Sequence, residues 1–159
     1  MQKIQRVVFP LRILLAFTFV VLVLGQVFSL PGMFAYMAEE SPEDAYLRWP
    51  LTIFSVLEVL CVQVVIVCTW RLLTMVKDDR IFSERSLLWV DAIVWAIVAG
   101  WVLLLGVSIY FASISDDPEL PALLMLMLSV GAALGLLMVV MRALLQQAIT
   151  LRTDLEAVI

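Results

Sequence analysis

Four apolar stretches, each long enough to cross a bilayer, divide this 159-residue chain into five short polar pieces. About 20 consecutive apolar residues span a hydrocarbon layer of ~30 Å as an α-helix. Inside that layer every backbone N–H and C=O must be paired internally, so stretches of this length are helical. The approximate spans are 7–30, 50–75, 84–113 and 121–145, with a helical tail over 146–159. Apolar residues make up 64% of the chain, against roughly 45–50% in soluble domains, and the mean hydropathy is +1.10. No polar piece is long enough to fold separately. The expected fold is all-α: one integral-membrane four-helix bundle over residues 1–159.

Charge supplies the orientation. Lys3, Arg6 and Arg12 lie in or beside the first polar piece, Arg71, Lys77, Arg80 and Arg85 in the third, and Arg142 and Arg152 in the fifth. The second holds only Arg48 and the fourth no basic residue. Lys and Arg are retained on the cytoplasmic side, so both termini and the middle loop are expected inside. Glu39, Glu40, Glu43 and Asp44, and then Asp116, Asp117 and Glu119, make the two outer loops acidic. The overall charge of −4 therefore reports topology rather than an acidic or basic ligand. A cleavable signal peptide is the competing reading of the first stretch. Its apolar run, Ile13 to Leu30, exceeds the ~7–15 residues of a signal core, and no small-x-small triplet follows closely. A retained helix is expected.

Local signals set the helix ends. The pair Pro31-Gly32 is expected to end the first segment, and Pro50 to open the second. Phe34, Tyr36, Tyr46 and Trp49 in the first outer loop suit the headgroup layer. A short interfacial helix is expected at 33–40 or 43–48. Ser83 followed by Glu84 reads as a cap and a first-turn acid for the third helix. The fourth meets no breaker before the C-terminus, and Leu144, Ala148, Leu151, Leu155 and Val158 continue at spacings of four and three. That narrow stripe must cover something: the middle loop, another copy of the chain, or a partner.

A few polar groups fall at membrane depth: Arg12, Gln26, Glu58, Gln63, Asp91 and Arg142. Glu58 lies about 12 Å beyond Pro50 along a helix, where an ionisable group costs on the order of 2.5–3.5 kcal/mol and must face protein. No basic residue matches its depth. It is expected to be protonated or hydrogen-bonded to Gln26, Ser108 or Ser129. It then serves either as an anchor between helices or as a proton- or cation-coupling site. Asp91 shares a leaflet with Arg12, Arg71 and Arg142, so a pair with Arg12 or Arg142 is expected to locate the helices laterally without much net stabilisation. Ala92, Ala96 and Gly100, then Gly131 and Gly135, are small residues at four-residue spacing that let helix backbones approach closely.

Several chemistries lack their residues. The chain has no histidine, which removes histidine-ligated metal or haem sites and a Ser-His-Asp triad. Cys61 and Cys68 are about 10 Å apart along one helix, too far for a disulfide or for thiol exchange. No phosphate-binding glycine loop and no nucleic-acid-binding surface is visible. No enzyme activity, cofactor, metal or direct nucleic-acid contact is expected.

The segment Arg80-Ile81-Phe82-Ser83 and the ending Leu151-Arg152-Thr153-Asp154-Leu155-Glu156-Ala157-Val158-Ile159 resemble a bacterial family of small four-helix membrane proteins, domain-of-unknown-function family 2975. The resemblance implies a multi-pass protein of the bacterial cytoplasmic membrane. It also implies a small helix-turn-helix regulator encoded nearby, and it brings no catalytic residues. The expected partner surface comprises Lys77, Asp78, Asp79, Arg80, Ile81 and Phe82 of the middle loop with Leu151, Leu155 and Val158 of the tail. Two other readings stand beside it: a small oligomeric proton-coupled transporter using Glu58, and an accessory subunit of a larger membrane complex.

Overall fold

In the computed structural model the backbone is described for residues 2–40, 42–78, 81–114 and 119–158, and side chains for these except 2–6 and Asp44. Helix dominates throughout. Helix α1 (Gln2–Leu24) passes through a π-helical turn (Gly25–Ser29) into α2 (Leu30–Glu40). A 3-10 turn (Pro42–Leu47) leads to α3 (Arg48–Lys77), followed by α4 (Glu84–Ile114) and α5 (Glu119–Val158). With α1, the π turn and α2 taken as one rod, four helices are long and apolar enough to cross a membrane.

The first rod does not stop at Pro31-Gly32, contrary to the expectation from the breaker pair. In an unbroken α-helix the Pro31 ring would strike the carbonyl four residues back and leave it without a donor. The π turn directly before it, in which the Leu30 N–H reaches back to the Gly25 carbonyl, widens the helix where that clash would fall. Of the aromatic residues expected at the headgroup layer, Phe34 is buried in the protein, while Tyr36, Tyr46 and Trp49 are exposed.

The helices pack in chain order, each antiparallel to the next. Between α1 and α3, Arg12 meets Thr74 and Gln26 meets Val56 and Gln63. Between α3 and α4, Glu58 and Cys61 lie against Gly100, while Arg71 lies over Trp89. Between α4 and α5, Trp101 meets Gly131 and Leu128, Ile97 meets Gly135, and Asp91 meets Arg142. Among the described residues α5 does not pack along α1 or α2. The bundle is open on that side.

Small residues decide how closely these helices approach. A Cβ built on Gly131 would stand 3.2 Å from Trp101 Cδ1, and one on Gly135 3.4 Å from Ile97 Cγ2. The glycine pair thus faces α4 of the same chain. Gly106 has open space where a side chain would go. Replacing Gly131 with Val must push Trp101 or the α5 backbone aside, and overpacking of this kind costs about 1–3 kcal/mol. Gly106→Ala should instead be neutral or stabilise by up to about 1 kcal/mol through helix propensity. Thermal unfolding in a neutral detergent should separate the two, with only Gly131→Val lowering the midpoint.

Candidate functional site

Two polar regions emerge: a seam within the helices, and one end of the bundle where the basic residues collect. The seam begins at the π turn. Gln26 donates through Nε2 to the Val56 carbonyl at 3.0 Å, and its Oε1 accepts from Gln63 Nε2 at 2.9 Å. One glutamine thus clasps both the backbone and a side chain of α3. On the other flank of α4, Trp101 donates through Nε1 to the Leu128 carbonyl at 3.0 Å. A helix carbonyl has a second lone pair, so these bonds form without breaking the ladder.

Glu58 stands apart from this seam. Gln26 is engaged with α3, Ser108 donates to the Leu104 carbonyl, and Ser129 to the Met125 carbonyl. The hydrogen bonds expected from Gln26, Ser108 or Ser129 to Glu58 are therefore not made. Each serine sits on a helix and reaches its own backbone one turn back more readily than a neighbouring helix. The Glu58 carboxyl rests instead against Gly100, where an added Cβ would come within 3.3 Å of Oε1. It borders a cleft of about 290 Å³ whose other lining residues include Phe54, Leu103, Val107 and Leu124, with Ser55 the one other polar side chain among the described residues. Cys61 and Cys68 are free thiols. Among the described residues no three Cys, Asp or Glu side chains gather as a metal site.

Asp91 has a partner, and the geometry chooses between the two expected. Arg142 Nε and Nη2 both reach its carboxylate, the Nη2–Oδ2 distance being 3.2 Å, in a fork-to-fork pair. Arg12 goes elsewhere: its Nη2 donates to Thr74 Oγ1 at 2.9 Å, and its guanidinium lies 5.5 Å from the Trp70 ring centroid. Thr74 and Trp70 were not legible as partners, because an Arg–aromatic contact across two helices leaves no spacing signal in either.

At the basic end, the turn between α3 and α4 meets the far part of α5. Counting both ways from the Asp91–Arg142 contact puts Glu84 level with about residue 149, so the rest of α5 projects beyond α4. The Arg152 guanidinium lies 5.8 Å from the Phe82 ring centroid and also pairs with Glu156 at 3.2 Å. Phe82 is 44% exposed, Leu151 63%, Leu155 67% and Val158 87%. Lys77 and Asp78 are exposed and Ile81 half-buried. Asp79 and Arg80 lie outside the described residues. Among the described residues the apolar stripe of the tail, Leu151, Leu155 and Val158, is thus left exposed.

Residues 32–159 match a family model described as a protein of unknown function, DUF2975. The chain belongs to this family. The match takes in α3, α4, α5 and both recognisable motifs, while Arg12 and Gln26 precede it. No curated protein and no solved structure matches the chain. Within the DUF2975 segment lie Glu58, Gln63, Asp91 and Arg142, together with all of the exposed tail.

Interhelical hydrogen bonds in membrane proteins average about 0.6 kcal/mol, with a maximum near 1.7 kcal/mol. Gln63→Leu, which strips Gln26 Oε1 of its donor, should lower unfolding free energy within that range. Thr52→Val, which loses a hydroxyl bonded only to its own helix at the Arg48 carbonyl, should cost less. Denaturation in mixed detergent micelles checks the order.

Proposed function

We propose that this DUF2975 protein is a non-enzymatic regulatory membrane protein with both termini inside the cell, and that its basic end docks a small soluble partner. A helix-turn-helix transcriptional regulator is the partner proposed. One observation carries the reading: the α3–α4 turn and the α5 extension meet through Arg152 and Phe82, beside an apolar stripe that is exposed among the described residues. Exposed Leu151, Leu155 and Val158, beyond the first α4 residue, Glu84, are costly in water and suit an amphipathic partner helix. The basic-residue asymmetry supports a cytoplasmic address for this end. Because α5 packs chiefly along α4 among the described residues, a change in packing at Asp91–Arg142 would tilt the extension and alter the exposed surface, a two-state element biased from within the membrane.

Capture of the purified regulator by the detergent-solubilised full chain checks this. Phe82→Ala and Leu155→Asp should each reduce capture by at least about tenfold, the loss expected for a buried apolar anchor. Undiminished capture by both variants removes this surface.

A second reading, proton-coupled transport through Glu58, is favoured by the cleft of about 290 Å³ beside that carboxyl. It requires proton-dependent solute flux in proteoliposomes that Glu58→Gln abolishes. Flux unchanged by that substitution counts against it.

A further inference from the structure

We propose that the cleft between α3 and α4 at the basic end binds a phosphoryl oxyanion, and that its occupant is the headgroup phosphate of an anionic lipid. Arg71, Thr74, Met75 and Asp78 from one side and Arg85 and Trp89 from the other enclose about 180 Å³. The Arg71 guanidinium lies 5.8 Å from the Trp89 ring centroid. Stacking of this kind holds the plane of the fork and leaves its N–H edges free to donate.

Among the described residues no carboxylate pairs with the guanidiniums of Arg12, Arg71 or Arg85. Among the described residues the ion pairs are Arg142–Asp91 and Arg152–Glu156, and neither includes Arg12, Arg71 or Arg85. Among the described residues Asp78 is the single acid in the lining, against two arginines. Arg12 approaches the same turn of α3 from α1, bonded to the Thr74 hydroxyl, and its Nε is buried without an acceptor. Three helices therefore bring cationic forks close to one turn of α3, residues 71–74, and among the described residues one carboxylate lines the cleft with them.

That excess identifies the ligand chemistry. An oxyanion with several acceptor lone pairs matches guanidinium forks bidentately, and Thr74 adds a hydroxyl beside them. The location favours lipid as the source. The cleft sits where membrane-crossing helices end and turn, Trp70 and Trp89 flank it, and tryptophan is enriched at the headgroup layer. Basic pockets between membrane helices at this level take anionic headgroups.

The test uses the full chain in dodecylmaltoside, titrated with dioleoylphosphatidylglycerol or dioleoylphosphatidylcholine and read by native mass spectrometry. A parallel thermal unfolding series uses sodium phosphate. Phosphatidylglycerol adducts should form at concentrations where phosphatidylcholine gives few. Arg85→Gln should weaken them about tenfold, the loss of one charge-assisted hydrogen bond. Arg85 is exposed and makes no ion pair among the described residues, so this variant keeps its fold. Arg48→Gln, with the same change of net charge at the opposite end, should leave binding unaltered. Equal uptake of both lipids, or equal loss in Arg48→Gln, overturns the site. Stabilisation by phosphate that Arg85→Gln abolishes, without phosphatidylglycerol preference, keeps the oxyanion chemistry and overturns lipid as its source.

Discussion

Lipid takes away the force that assembles most proteins. Lipid tails are as apolar as leucine side chains, so helices in a bilayer gain little by hiding Leu and Val from them. What remains is close packing of backbones and a small number of polar clasps, and α4 carries much of the close packing and two of the clasps. Gly100 admits Glu58 and Cys61 from α3. Trp101 lies against Gly131 and donates to the Leu128 carbonyl, Ile97 meets Gly135, and Asp91 holds Arg142. The clasp between α1 and α3 is more polar: Gln26, Gln63 and Arg12 do the joining.

This arrangement gives the two ends of the molecule different characters. At one end the helices are joined by short acidic segments, with Glu39, Glu40 and Glu119 exposed. At the other, guanidiniums lie over tryptophan and phenylalanine rings, and α5 continues past its neighbours as a helix with an apolar stripe. A 40-residue helix of about 60 Å exceeds what a ~30 Å hydrocarbon layer needs. In the regulatory role proposed above, the surplus is where a membrane-embedded change becomes visible to a soluble partner. The proposed oxyanion cleft adjoins this surface, since Asp78 belongs to both.

Much of the architecture was legible in residue order. Four apolar runs required four helices, Ser83-Glu84 marked where α4 begins, and the unbroken pattern after Pro121 required one long final helix. The misreadings share a cause. Pro31-Gly32 breaks an ordinary helix, and a π turn removes the clash by changing the local hydrogen-bond register, which composition does not announce. The Asp91 partner was narrowed to two arginines at the right depth, and only the lateral order of helices could choose.

Sequence alone determined that this chain is helical, how many long helices it has, and which end gathers cations. Those properties depend on backbone hydrogen bonding in an apolar medium and on charge, both of which act along the chain. Tertiary structure decided that Arg142 rather than Arg12 reaches Asp91, that Glu58 meets Gly100 instead of a hydrogen-bond donor, and that Phe82 and Arg152 touch. Each of these depends on which faces of neighbouring helices approach within a few ångströms. Apolar helices of similar composition leave that choice to side-chain shape, and shape becomes specific only when the partners are in place.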